Sequence, residues 1–195
     1  QLVRLRRTMD LVLQLYLVPL EGAFHRHPCL RLEEVPLVPL DPAPYHLAAR
    51  HLAHRQFSLR QFDESIETGL RAAELYSNAP LEREKLGPDY FTSTPDVVQY
   101  YLYYHLGQAY FAKHDFDNAA KWFNKSSQAA GFGFDPEART ANTYWEFLSL
   151  ARGGRMDEAM EVLDAYDLTL FQVHPEGGSD NYFDGIQLFK GHRDA

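Results

Sequence analysis

Residues 97–130 read VVQYYLYYHLGQAYFAKHDFDNAAKWFNKSSQAA, and the spacing within this stretch decides the fold. Tyr103, Leu106, Gly107 and Tyr110 recur three or four residues apart ahead of His114-Asp115; Ala119, Ala120 and Phe123 do so after it. That period puts each set on one helical face. The stretch therefore predicts two antiparallel helices joined by a tight turn at His114-Asp115. Gly107 and Ala119 are small where the two helices must approach closely, and the aromatic side chains fill the space on either side.

The same arrangement recurs on both flanks. Over Tyr45 to Tyr76, an offset of 54 residues brings Phe57 onto Phe111, Phe62 onto Phe116 and Asp63 onto Asp117. Ala53 then falls on Gly107 and Ser65 on Ala119. Over Pro136 to Tyr166, an offset of 40 brings Ala159 onto Ala119 and Leu163 onto Phe123, with Gly153-Gly154 at the turn. Between the first two copies, Ser77 to Pro95 reads as an inserted loop, with Pro80, Gly87 and Pro88 as breakers. Ser93-Thr94-Pro95-Asp96 offers capping oxygens to the next helix, and Gly131 and Gly133 suit a helix stop. His174 to Asp180 reads as a loop, followed by a closing helix over Asn181 to Gly191.

Ahead of the repeats, Leu2, Leu5, Met9, Val12 and Tyr16 form a core-facing stripe, so residues 1–18 predict an amphipathic helix. Arg4, Arg6 and Arg7 before Leu11–Leu20 mimic a signal peptide, but Asp10 and Gln14 interrupt the apolar run, which favours the structured helix. Pro19, Pro28, Pro36, Pro39, Pro42 and Pro44 then deny a long helix. The expectation is an extended connector lying on the body, anchored by Leu30, Leu32, Val35, Leu37 and Val38. The organisation read here is residues 1–44 as helix and connector, then 45–195 as a helical domain. Its hairpins span 45–76, 97–130 and 136–166, and its closing helix 181–191.

Large and small residues alternating in this way across helical hairpins resemble the tetratricopeptide repeat (TPR), a helix-turn-helix unit of about 34 residues. A longer pattern is similar to one group of bacterial TPR proteins of unassigned activity. It comprises His54-Arg55, Ser58, Arg60 and Phe62, then Ser93-Thr94, then Tyr104-His105-Leu106-Gly107 with Ala109 and Tyr110. Tyr144-Trp145, Tyr182 and Lys190-Gly191 follow in the same order. The resemblance implies an all-α, right-handed solenoid of about three TPR-like hairpins. It supplies no reaction.

Composition excludes some classes. With 27 acidic against 19 basic residues the net charge is −8, which argues against generic nucleic-acid binding. No apolar run reaches the length of a bilayer span. The single cysteine, Cys29, excludes an intrachain disulfide framework. A start at Gln1 rather than Met leans towards an exported, periplasmic chain, although truncation would look the same.

In TPR arrays the first helix of each hairpin lines a concave groove that takes partner peptides. Counted from Gly107, the resemblance implies groove positions at Tyr101, Tyr104, Gln108 and Phe111. The matching positions are Leu47, Arg50, His54 and Phe57 in the first hairpin, and Ala141, Tyr144, Leu148 and Ala151 in the third. This is an aromatic groove with a basic end, suited to a peptide with apolar anchors and an acidic group. The competing reading is that the chain's own N-terminal segment fills the groove, or that these rings are core.

Histidines offer a sharper alternative. His25, His27, Cys29, His46, His51 and His54 lie close in sequence, and His51 and His54 are three apart on one helix. Zinc needs four converging donors, and such a pair supplies two. No CxxC pair or HExxH is present, so no metal or cofactor is assigned. No GxSxG or dinucleotide loop appears either. The reading is a non-catalytic protein–protein interaction or assembly module with a polypeptide partner. The alternatives are a subunit of an enzyme with a His-based metal site (His51, His54), and a homo-oligomeric structural protein.

Overall fold

The computed structural model describes residues 43–82, 97–130, 136–170 and 180–192. Among them lie seven α-helices and no strand: α1 Ala43–Ser58, α2 Phe62–Leu75, α3 Val98–Ala112, α4 Phe116–Ala130, α5 Pro136–Arg152, α6 Met156–Asp164 and α7 Asp180–Phe189. A 3-10 turn, Leu168–Leu170, follows α6. The expected N-terminal helix, most of the Pro-rich connector, the 93–96 capping oxygens, the Gly131 and Gly133 stop and the 174–179 loop lie outside the described residues. From α1 to α6 each helix packs on its chain neighbours, α1 also touches α3, and α7 packs back on α5. The fold is an all-α solenoid.

Three hairpins turn in the same way. Arg60, His114 and Gly154 adopt positive φ of 61°, 62° and 80°. Their spacings are the 54 and 40 residues of the sequence offsets. In each, the residue after the positive-φ position donates its N–H five residues back: Gln61 to Gln56, Asp115 to Tyr110 and Arg155 to Leu150, at 2.9–3.0 Å. These are Schellman caps, which satisfy carbonyls that a helix end otherwise leaves bare. Gly191 closes α7 likewise, with φ 76° and His192 donating to Gln187. Only two of the four positions hold the glycine that this conformation prefers.

Two helices have proline in the first turn. The first shifts a boundary drawn from sequence, while the second starts where the third hairpin was read to begin. Pro44 belongs to the first turn of α1 rather than to the connector, and Pro136 opens α5. Proline there forfeits no helical hydrogen bond, because the first N–H groups have no intrahelical acceptor. At α3 the cap is Val97, with no side-chain cap; the N–H of Val98 donates to the Glu82 carbonyl at 2.9 Å instead. Gln99 holds that approach in place, accepting from the Glu82 N–H and donating to the Pro80 carbonyl.

Close helix approach rests on the small residues. A Cβ on Gly107 would lie 2.8 Å from the Phe123 ring, and one on Gly69 would lie 2.7 Å from Leu106. Ala53, Ala119, Ala159, Phe123 and Leu163, which the offsets superimpose, are all buried. Fully burying a Phe or Leu side chain stabilises by about 1.5–3 kcal/mol each. Phe123 sits at the centre, stacked on Trp145 at 5.9 Å and edge-on to Tyr104 at 5.7 Å.

Helix α5 is enclosed by α4, α6 and α7, and three of its buried polar side chains turn to its own backbone. Asn142 donates to the Ala138 carbonyl at 2.9 Å and Ser149 to the Trp145 carbonyl at 2.7 Å. Thr140 donates to the Pro136 carbonyl and shares a hydrogen bond with the Tyr166 hydroxyl. Helix α7 is tied down by Lys190, whose Nζ donates to the carbonyls of Leu163 (2.7 Å) and Tyr166 (3.0 Å).

Candidate functional site

The first helices of hairpins one and two, α1 and α3, bring an imidazole–aromatic row together. His54 of α1 stacks on His105 of α3 with ring centroids 4.2 Å apart and planes 24° from parallel. Tyr101, one helical turn before His105, stacks on it at 6.5 Å, and Phe57 leans on it at 6.3 Å. The Arg50 guanidinium lies over the Tyr101 ring at 4.9 Å, and its Nη1 is 2.9 Å from His51 Nδ1. Tyr104 stacks on Tyr100 at 5.8 Å. Its hydroxyl donates to that of Tyr182 at 3.4 Å.

Electrostatics follow from this crowding. Burial pushes the His105 imidazole down to about 3, helped by the nearby His54 and Arg50; a Tyr101 carbonyl opposes the shift. Burial also lowers His54, with Arg50, Arg55 and His51 adding to it. Both rings are therefore neutral at pH 7 and stack as aromatic surfaces, not as cations. Burial raises the Tyr104 phenol well above the ordinary value, with Tyr182 and Tyr100 adding to it.

The sequence-predicted positions divide. His54, Phe57, Tyr101, Tyr104 and Gln108 are half-buried, each with an edge in solvent, along α1 and α3. Arg50 is buried at the end of this row, 7% exposed. Phe111 is buried between Phe116 and Trp145, edge-on to both at 5.3 and 5.2 Å. Tyr144 and Leu148, read from sequence as groove lining, are 2% exposed and belong to the core. The chain's own α7 covers that end. Gly185 rides so close on Tyr144 that a Cβ there would lie 2.5 Å from the ring, and Tyr182 and Phe189 flank the same ring at 5.2 and 6.0 Å.

Two members of the site escaped the sequence reading. His105 shares a helical face with Tyr101, Tyr104 and Gln108 by its three- and four-residue spacings, so periodicity was the signal that finds it. Tyr182 reaches the site only through the docking of α7, which no local pattern announces. His51 is exposed while His54 is stacked under His105, so the pair does not converge. Among the described residues no three His, Cys, Asp or Glu side chains form a metal-holding group. The side chains of His25, His27, Cys29 and His46 lie outside them.

No protein-family model matches the chain, and no curated protein does. Among solved structures the chain is similar to a TPR-like protein from Chlorobium tepidum. The TM-score is 0.50 at 17% identity, over 76% of this chain and 96% of that one. A likeness at that identity shows a TPR-like helical fold and nothing of function. Among the described residues no helix is long and apolar enough to cross a membrane.

Proposed function

We propose that this chain is a non-catalytic protein–protein interaction module that takes a segment of a partner polypeptide on the face built by α1 and α3. The observation that supports this most is the row His54, Phe57, Tyr101, Tyr104, His105 and Gln108, in which every member keeps part of its surface in solvent. Rigid aromatic side chains give large contact area at little conformational cost, which makes them the usual anchors of recognition. The row ends at Tyr182, so the groove we propose spans the first two hairpins. The positive charge of Arg50 and Arg55 on α1 suits a peptide with apolar anchors and an acidic group. The TPR-like fold is of a kind commonly used for protein–protein interaction, which supports this class of role and adds no partner.

Peptide selection against the full chain tests the reading. Selected peptides should lose at least tenfold in affinity, about 1.4 kcal/mol, on Tyr101→Ser or Gln108→Glu. Equal binding by wild type and both variants would sink it. Self-association is the second reading, favoured by Leu52, Leu59, Leu70 and Leu75, which leave 38–70% of their surface exposed on the first hairpin. A mass that rises with concentration, and that falls back on Leu59→Lys, would place it ahead of the groove.

A further inference from the structure

On the side away from the imidazole row, the second helices of hairpins two and three leave a cavity of about 330 Å³ between α4 and α6, floored by α5. Its floor carries Glu146, only 8% exposed. A carboxylate placed there loses most of its hydration and needs compensation. Asn124 supplies one part, its Nδ2 donating to Oε1 at 3.0 Å. Gln128 donates to Asn124 Oδ1 at 2.9 Å, which holds the amide with its NH₂ towards the acid. An NH₂ only donates, so Glu146 is kept as an acceptor. Among the described residues Glu146 has no other hydrogen bond, and Oε2 keeps its lone pairs.

The charges around the cavity have one sign to spare. Asp117, Glu146, Glu158 and Glu161 line it against two cations, Lys121 and Arg155. Arg155 is engaged by Glu158 in two bonds of 2.6 and 2.7 Å and by Asp117 at 3.2 Å. Neither cation pairs with Glu146. Burial pushes the Glu146 carboxyl up and only Asn124 opposes this, so no positive charge offsets the buried acid. Leu150, Val162 and Ala120 complete the lining with apolar surface.

We propose that this cavity binds an aliphatic cation, an ammonium or guanidinium on a short carbon stem, with Glu146 Oε2 accepting from the head and Leu150 and Val162 packing on the stem. A lysine or arginine side chain of a partner carries that chemistry, and so does a free alkylamine. An anion would meet the excess of carboxylates, and a neutral polar group would leave the buried acid uncompensated. The site is independent of the α1–α3 groove, and either stands if the other fails.

The test is an NMR titration of the isotope-labelled full chain, following the Asn124 side-chain amide and the Val162 methyls. The probes are N-acetyl-arginine-N-methylamide and n-butylammonium, against sodium butyrate at matched ionic strength. The cations should give saturable shifts and butyrate none. Glu146→Gln should weaken binding at least tenfold. Val162→Phe, which fills the cavity and leaves the carboxylate in place, should abolish it and decides the matter alone if Glu146→Gln does not fold. Tighter binding of the capped arginine points to a partner side chain, and tighter binding of butylammonium to a free amine; both uphold the site. Non-saturable shifts, equal shifts with butyrate, or unchanged affinity in a folded Glu146→Gln variant would overturn it.

Discussion

Replacing His105 by Phe should flatten the acid limb of the protein's stability profile. In the fold the imidazole titrates at about 3; in the unfolded chain it titrates at about 6.5. Between those values the unfolded state binds a proton that the folded state refuses. Stability is therefore full above about pH 6.5 and falls as the pH drops towards 3. The slope is about 1.4 kcal/mol per pH unit, so the loss from pH 8 to pH 5 is about 2 kcal/mol from this one residue. Phenylalanine keeps a ring against His54, Phe57 and Tyr101 and binds no proton. The assay is urea unfolding of wild type and His105→Phe at both pH values, read by far-ultraviolet circular dichroism. Every other titrating group is common to both proteins, so the difference between the two pH dependences isolates the residue. The wild type should lose about 2 kcal/mol more than the variant. A difference under about 0.5 kcal/mol would refute the burial argument, because an imidazole that protonates freely in the fold carries no such linkage.

Three further outcomes follow from the backbone and the packing. Gly154 has φ 80° and open space where a Cβ would stand, so Gly154→Ala should cost about 1 kcal/mol by backbone strain alone. Arg60→Gly relieves the same conformation in the first hairpin and should stabilise by about 0.5–1 kcal/mol; thermal unfolding that moves both variants in one direction would contradict the shared turn geometry. Lys190→Met removes two charge-assisted hydrogen bonds to the Leu163 and Tyr166 carbonyls and should cost about 2 kcal/mol. The loss should show as faster amide hydrogen exchange along α7, and unchanged protection there would mean that Lys190 does not hold the helix.

The imidazole row and the TPR-like frame have different origins in the chain. Helix pairing in the three hairpins was legible because it is local. Three- and four-residue spacings set one buried face per helix, and small residues at Gly107, Ala119 and Ala159 mark where the helices meet. Even the turn register was present in the offsets of 54 and 40 residues, although Arg60 and His114 do not advertise their left-handed conformation as Gly154 does. Which aromatic residues face solvent was not legible. Tyr101, Tyr104 and Tyr144 occupy equivalent-looking positions on first helices. Only the docking of α7, with Gly185 against Tyr144 and Lys190 on the end of α6, buries the third and leaves the first two with an open edge. The neutrality of His105 and the isolation of Glu146 were hidden for the same reason. A helical period states which residues share a face, but burial and charge compensation depend on which other helix arrives there, and that is settled by packing between residues far apart in the chain.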